Sequence, residues 1–315
     1  MADSHPDDSD SPLTWWSVGL AASLLAINVA VSSALRLRLE KQIVVAGARC
    51  FVQLTVLGLV LKRVFSTESP AVVFTVTGVL GGLAALEVSE WRAQRRVRGM
   101  FWIALVSIVG SATAIGLVGA AFSMRFEPIY KASKFIPVLG MLYGNTMVGV
   151  SLGINAVLEA ADVRRSEIEG RLCYGASRWE AVRPTAVDAA RTAMVPSITM
   201  VGITGLIAIP GMMSGQILGG ASATEAARYQ QIITFMIAAS VALGVVGSVL
   251  TTSLIVVDGR PQLRPERILG GKGQAAAEPR TPRTPASQRS VLGPKPWRDG
   301  GGGARLAAGA VAGAQ

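Results

Sequence analysis

Seven long apolar runs constrain the fold of this chain more than any other feature of its sequence. They are residues 14–35, 43–61, 71–88, 101–122, 135–158, 193–213 and 231–257. An α-helix needs about 20 residues to cross a hydrocarbon layer of about 30 Å, and each run is close to or above that length. The runs therefore predict an all-α, polytopic membrane protein with about seven transmembrane helices.

Composition agrees with a lipid environment, because 50% of the residues are hydrophobic and only 16% are charged. A soluble protein of this size needs a more strongly charged surface. The net charge of +10 raises the question of a nucleic-acid partner. However, the basic residues lie between apolar runs and near the C-terminus, and not in a patch interleaved with aromatic residues. We expect a lipid bilayer as a partner and no nucleic acid.

The connections between the runs differ in their content of Lys and Arg. Basic residues concentrate at 36–41, 90–99 and 159–191 and after residue 257, and they are sparse in the alternate connections. Because cytoplasmic loops carry the excess of positive charge, the N-terminus is predicted outside and the C-terminus in the cytosol.

Three domains are predicted along the chain. Residues 1–12 form an acidic tail and residues 258–315 form a basic cytosolic tail, and both are expected to be disordered because they contain too little aliphatic material for a core. The transmembrane domain occupies residues 13–257.

A polar stretch of mixed charge, residues 159–191, separates the fifth and sixth runs, and we call it the docking element. Ser166–Glu169 and Ser177–Glu180 both match the S-x-x-E capping box, which predicts two helix starts. Gly175 lies between them, where a helix commonly ends in a left-handed residue. Pro184 suits the first turn of a further helix that leads into the sixth run.

The docking element also has one apolar face at helical spacing. The face consists of Ile168, Leu172, Ala176, Trp179 and Val182. Such a face can enter a groove on a partner protein or lie on a membrane surface. Acidic and basic residues balance across the element, which favours the protein partner, with Gly175, Ser177 and Glu180 shaping the contact.

Some polar residues and helix-breaking residues fall inside the apolar runs and predict a transport pathway. Pro210–Gly211 should break the sixth run, so that residues 209–216 form a re-entrant or broken end facing the pathway or a dimer interface. We expect the following side chains to line the pathway or to face this break: Arg49, Gln53, Asn145, Met212, Met213 and Gln216. Charged groups inside a bilayer indicate function, and Glu87 is the candidate for a cation-binding carboxylate.

Arg49 and Glu87 fall near the same predicted side of the membrane, so they could equally form a structural ion pair. No confident metal site follows from the sequence. The only histidine is His5, in the acidic tail, which excludes a zinc site of Cys and His ligands.

Several motifs resemble the iron-export and aluminium-tolerance family of ABC permeases. Glu169 to Pro184 reads E-x-x-L-x-x-G-A-S-x-x-E-A-x-x-P, which is similar to the cytosolic coupling loop of ABC permeases. PGMMSGQILGG at 210–220, GNTMVGVSLG at 144–153 and Arg49-x-x-x-Gln53-Leu54 add to the resemblance, which covers residues 14–257.

The resemblance implies a permease subunit that exports or sequesters iron- or aluminium-related metal ions. ATP would bind to a separate ABC ATPase subunit, and two copies of the chain would form a homodimer. The nearest candidate for a phosphate-binding P-loop, LGGKGQ at 269–274, lacks the required first glycine, so no ATPase site and no cofactor are expected in this chain. Three alternatives remain open: an ATP-independent carrier, an ABC permease for an organic substrate such as a nucleotide sugar, and a non-transporting membrane scaffold.

Overall fold

The structure is a computed structural model that describes residues 15–65, 69–93, 95–97, 99–124, 131–257 and 268–270. All of these residues belong to one compact unit, Met1–Lys272. The acidic tail, residues 1–12, lies outside the described residues, and so does the basic tail except for residues 268–270.

Ten α-helices account for most of the described chain. They are α1 (Trp15–Ser23), α2 (Leu25–Ala34), α3 (Glu40–Phe65), α4 (Pro70–Leu86), α5 (Met100–Val118), α6 (Ala132–Val163), α7 (Arg165–Cys173), α8 (Arg178–Ile203), α9 (Gly211–Leu218) and α10 (Ala223–Val256). A π-helical turn extends α4 over Glu87–Trp91, and a second one extends α5 over Gly119–Ser123. Two short strands, β1 (Arg95–Val97) and β2 (Ile268–Gly270), pair antiparallel with Arg96 opposite Leu269.

The all-α, polytopic architecture predicted from the sequence is confirmed. Within the described chain, six helical segments are long and apolar enough to cross a membrane. They are Trp16–Ala34, Glu40–Phe65, Pro70–Trp91, Met100–Ser123, Ala132–Val163 and Ala223–Val256. The predicted count of seven is not confirmed, because the run at 193–213 does not form such a segment.

Helix α8 explains the difference. It begins at Arg178, inside the docking element, and continues without interruption to Ile203, so the charged residues Asp188 and Arg191 belong to the same helix as the apolar run. Its apolar part after Arg191 is too short to cross a bilayer alone. The chain then leaves the helix before Pro210 and forms the separate helix α9.

The core is built around α6, which packs against α4, α5, α8 and α10. Along α6 the buried side chains recur at intervals of three and four residues, which places them on the faces turned toward these neighbours. The largest are Phe135, Leu139, Leu142, Ile154 and Leu158. Ile108 of α5 and Ile233 of α10 are buried in the same cluster.

Small residues bring α6 and α10 close together. A Cβ atom at Gly149 would lie 2.8 Å from the Cγ1 atom of Val241, and one at Gly153 would lie 2.9 Å from Cγ2 of Val249. Close approach of this kind is typical of helix pairs in membranes. The hydroxyl groups of Thr146 and Ser240 form a fully buried hydrogen bond of 2.7 Å across the same interface.

Helices α2 and α3 pack mainly against each other, and α3 makes only limited contact with α6. The hydrophobic side chains of α3 are therefore largely exposed; Leu54 and Leu59, for example, are 63% and 65% exposed. In a membrane protein such side chains face lipid or a neighbouring chain.

Candidate functional site

Arg49 of α3 and Glu87, at the end of α4, form an ion pair. The Nη2 atom of Arg49 donates a hydrogen bond to Oε2 of Glu87 over 2.8 Å. The two side chains are 34% and 26% exposed, so neither is fully withdrawn from solvent or lipid. The two helices thus neutralise each other's charge inside the apolar part of the molecule.

This ion pair lies in the wall of a cavity of about 530 Å³ between α3, α4 and α6, which we call the charged cavity. Gln53 lines the same cavity, so three of the residues predicted for the pathway come together here. Cys50 and Met147 line it as well and were not predicted as site residues. Carboxylate, amide and sulfur groups therefore share one space.

The π-helical turn at Glu87–Trp91 supplies two of the groups that surround Arg49. The guanidinium carbon of Arg49 lies 4.3 Å from the centroid of the Trp91 ring, which is the geometry of a cation–π contact. π-helical turns inside or at the end of α-helices often mark functional sites. The sequence analysis missed Trp91 because it falls in a segment predicted as a loop.

A second cavity, of about 300 Å³, is lined by α6, α8 and α10, and we call it the neutral cavity. It brings the predicted residues Asn145 and Pro210 together. The other polar groups in its wall were not predicted as site residues: Ser197, Thr204, Gln230 and Thr234. An adjoining cavity shares Pro210 and extends to Met213. Among the residues that the structure describes, no Asp, Glu, Lys or Arg lines either space.

The side-chain carbonyl of Gln230 has no hydrogen-bond partner within the described part of the chain, although its Oε1 atom is buried. Its amide nitrogen donates to the hydroxyl group of Thr234 over 3.3 Å. A buried polar atom without a hydrogen-bond partner destabilises the folded state, so such an atom is uncommon in a protein core. By contrast, the amide of Asn145 is bonded to the carbonyl oxygen of Met141 one turn away.

The helix is broken before Pro210–Gly211, but the break lies earlier than the predicted segment 209–216, because it spans residues 204–210 and residues 211–216 are helical. Helix α8 ends at Ile203, Gly205 adopts a left-handed φ of +89°, and Gly211 begins α9. Met212 packs against the core, whereas Gln216 is half-buried and lines neither the charged nor the neutral cavity.

The turn within the docking element follows the sequence prediction. Gly175 has a left-handed φ of +88° directly after α7. Its N–H group donates to the carbonyl of Leu172, and the N–H group of Ala176 donates to the carbonyl of Arg171. These two bonds form a Schellman motif, in which glycine is favoured because it has no Cβ atom.

One of the two predicted capping boxes is present. The Ser177 hydroxyl accepts from the N–H group of Glu180, and the Glu180 carboxylate accepts from the N–H group of Ser177 over 2.8 Å. Hydrogen bonds from the Ser177 side chain and backbone hold the pKa of Glu180 below its usual value. The box predicted at Ser166 is wrong, because α7 begins at Arg165 and Glu169 instead pairs with Arg165.

Pro184 does not begin a further helix, contrary to the prediction, because it lies inside α8. The predicted apolar face also requires correction, since Ile168 and Leu172 are 1% and 7% exposed and pack in this chain's own core. Val182 is buried with them, which leaves Trp179 as the exposed member of the face.

Tyr174 is 95% exposed at the tip of the turn and, like Trp91, is an aromatic group that the sequence analysis missed. Arg178 connects the docking element to the last long helix. Its guanidinium group donates to the carbonyl oxygens of Leu254 and Val257, at the C-terminal end of α10. A cation at this position also complements the negative end of the helix dipole.

Metal-ligating groups are sparse in the described part of the chain. Its described residues contain no group of three or more His, Cys, Asp or Glu side chains that could hold a metal ion.

Together, these helices, the two cavities between them and the polar element joined to α8 define a multi-pass, integral membrane protein. The chain belongs to the uncharacterised protein family UPF0014, which it matches over residues 15–256.

Three similar proteins illustrate the range of the family. One is the UPF0014 membrane protein YjkA of Bacillus subtilis strain 168, with 33% identity over 76% of this chain and 94% of the relative. FetB of Escherichia coli K12, described as a probable iron export permease protein, is 29% identical over 78% and 93%. The ALUMINUM SENSITIVE 3 protein of Arabidopsis thaliana is 28% identical over 74% and 84%. The resemblance drawn from the sequence motifs is thus confirmed. No solved structure matches the chain.

Proposed function

We propose that this chain is the permease subunit of an ABC-type transporter that moves metal ions and is energised by a separate ATPase subunit. The observation that carries the proposal is the continuity of the docking element with the membrane-embedded part. Helix α8 starts at the capped, exposed end beside Tyr174 and Trp179 and ends at the wall of the neutral cavity.

The exposed part of the docking element fits a protein partner. Tyr174 and Trp179 offer aromatic anchors, which are enriched in interface hot spots. Around them, α7 carries ion pairs between residues one turn apart, such as Arg165–Glu169 and Arg171–Glu167. Such a balanced surface suits a protein groove better than an anionic lipid surface.

Two routes connect this surface to the spans. One is α8 itself, and the other is Arg178, whose bonds to the end of α10 join the docking element to the other long wall of the neutral cavity. A partner that moves the element therefore moves both walls. In the proposed cycle, two copies of the chain form the pathway and two ATPases drive it.

A metal substrate is supported by the names of two relatives, one a probable iron export permease protein and the other the ALUMINUM SENSITIVE 3 protein. The charged cavity adds one carboxylate and one amide inside the spans, groups that suit a hard or borderline cation. An organic substrate such as a nucleotide sugar is the alternative, and a binding assay with the purified subunit separates the two.

The partner is tested by purifying the tagged full-length chain from its native membrane and asking whether an ATPase subunit accompanies it. We expect the Tyr174→Ala/Trp179→Ala double variant to lose most of the ATPase. Tyr174 is 95% exposed and Trp179 is 38% exposed, so the single Tyr174→Ala variant should fold like the parent, and thermal unfolding checks the fold of the double variant. Trp102→Ala is the matched control, since Trp102 is an exposed aromatic residue of α5 far from the element in sequence.

Full retention of the ATPase by the double variant would contradict docking at this surface. Gradient-driven flux in liposomes that contain this chain alone would identify an ATP-independent carrier instead. The proposed orientation is tested with Cys173, which is exposed at the end of α7. In a Cys50→Ser background, an impermeant maleimide should label it from the cytosolic side and not from outside.

A further inference from the structure

We propose that the charged cavity is a transit site for a divalent transition-metal ion, and that Arg49 is a built-in competitor for the ion's ligand, Glu87. The inference rests on the proposed transport of metal ions and specifies the site at which an ion is held and released. It concerns this chain alone, so it can be tested without the ATPase.

The donor atoms around the cavity determine which ions it favours. Among the residues that line it, Glu87 and Gln53 have side-chain oxygen atoms, and Cys50 and Met147 have sulfur atoms. Mg²⁺ and Ca²⁺ prefer sites with oxygen ligands only, whereas first-row transition metals accept a mixture of oxygen and sulfur. A volume of about 530 Å³ exceeds the space of a bare ion, so the ion can keep several waters.

In the structure, the carboxylate that would bind the ion is already occupied by a cation. The Arg49 guanidinium is bonded to Glu87 Oε2 over 2.8 Å. An ion can reach Glu87 only by displacing that group or by sharing the carboxylate with it. Arg49 therefore acts as a tethered cation that returns to Glu87 whenever the ion leaves.

Trp91 gives the displaced guanidinium group a second partner. Arg49 already lies 4.3 Å from the centre of the Trp91 ring, so it can release Glu87 and still keep a cation–π contact. The ring and the carboxylate come from the same π-helical turn, Glu87–Trp91, which fixes their separation. In the position that the structure shows, Arg49 contacts both groups at once, so loss of the bond to Glu87 would leave the contact with Trp91.

This arrangement favours passage over storage of the ion. A displaced guanidinium still lies beside the bound ion, and two positive charges at short range in a partly dehydrated site repel each other. The repulsion weakens binding and speeds release. A storage site would instead surround the ion with several anionic ligands, and the described residues provide no such group.

The first experiment measures Fe²⁺ binding to the purified full-length chain in lipid nanodiscs under anaerobic conditions. We expect Arg49→Gln to bind Fe²⁺ about tenfold or more tightly than the unmodified chain, because the competing charge is gone. Glu87→Gln should bind it about tenfold or more weakly. Arg49→Lys, which keeps the charge, should stay close to the unmodified chain.

Lys62→Gln is the matched control, because it removes one positive charge from the exposed end of the same helix and should leave the affinity unchanged. An Arg49→Gln chain that binds Fe²⁺ no more tightly than the unmodified chain would overturn the competitor role.

The second experiment leaves the ion pair intact and so does not depend on the folding of any Arg49 variant. In a Cys173→Ser chain, Cys50 is the only cysteine, and it is exposed and lines the cavity. Fe²⁺ should slow maleimide labelling of Cys50 severalfold, and Mg²⁺ at equal concentration should not. In the reciprocal Cys50→Ser chain, labelling of Cys173 should not respond to Fe²⁺.

Equal labelling rates of Cys50 with and without Fe²⁺ would overturn the site itself. Loss of the ATPase partner has no bearing on either measurement. A chain that binds Fe²⁺ as expected but recruits no ATPase would therefore contradict the proposed ABC partner and leave the transit site intact. A chain that recruits the ATPase but shows none of the expected Fe²⁺ effects would support the permease proposal and contradict the transit site.

Discussion

The charged cavity and the neutral cavity hold polar groups in apolar surroundings in different ways. In the charged cavity, Arg49 and Glu87 satisfy each other across two helices. In the neutral cavity, no charged group is found among the described residues of the wall, but Gln230 has a buried carbonyl oxygen to which none of them donates a hydrogen bond. A paired charge keeps its partner until another ion competes for it, whereas an unsatisfied carbonyl oxygen can accept a further hydrogen bond. The role that we propose for the first cavity is to exchange one cation for another, and the second can accept a donor such as water.

The largest effect on stability is expected when the charge pair is broken on one side. Glu87→Gln leaves Arg49 without an anion and should lower the free energy of unfolding by about 1–3 kcal/mol, less than for a fully buried pair because both groups are partly exposed. Unfolding in mixed micelles measures this. The Arg49→Gln/Glu87→Gln double variant should recover part of the loss; a double-variant loss equal to the sum of the two single-variant losses would mean that the pair is not coupled.

The next effect concerns the break beside the neutral cavity. Gly205 has a φ of +89°, so Gly205→Ala should cost about 1–2 kcal/mol of unfolding free energy. Gly202→Ala is the control, because Gly202 lies within α8 with open space around it and the substitution should stabilise by about 0.5–1 kcal/mol. Equal unfolding free energies of the Gly205→Ala and Gly202→Ala variants would show that the turn at Gly205 can adopt another backbone conformation without cost.

Removal of a polar group from the neutral cavity should raise the free energy of unfolding, whereas removal of Glu87 from the charged cavity should lower it. Gln230→Met eliminates the unsatisfied carbonyl and should raise the unfolding free energy by about 1 kcal/mol, despite the loss of the bond to Thr234. Transport should fall in the same variant if the carbonyl serves the pathway. A clear loss of stability would indicate that water already satisfies Gln230.

The smallest effect is expected outside both cavities, at the capping box. Ser177→Ala should cost about 0.5 kcal/mol and leave Fe²⁺ binding unchanged. Because the folded-state pKa of Glu180 is lowered, its contribution is present above the ordinary glutamate pKa and is lost as pH falls through the lowered value. The variant and the parent should therefore converge in acid, as thermal unfolding at several pH values would show.

The sequence predicted those features that depend on local chemistry. Long apolar runs indicated the spans, Gly175 indicated a left-handed turn, and Arg49 and Glu87 indicated a pair because isolated charges are costly in lipid. Tertiary packing decided the rest. Ile168 and Leu172 looked like a surface for a partner, yet the protein buries them itself.

Continuity of helices was the hardest feature to predict. Pro184 suggested a helix start, but α8 continues through this proline because it packs against neighbouring helices. The same helix contains the charged residues that shorten its apolar part. Gln230 gave no signal, since it falls in a segment that looked like a connection before the last run. Its importance follows only from the fold, which buries its carbonyl between helices.

Pro196 affects the flexibility of α8. It lies inside α8 and lines the neutral cavity, and a proline at that position leaves the carbonyl of Thr192 without its helical N–H donor. The cavity wall thus includes a built-in point of bending. A change in the bend of α8 at this proline would change the width of the neutral cavity.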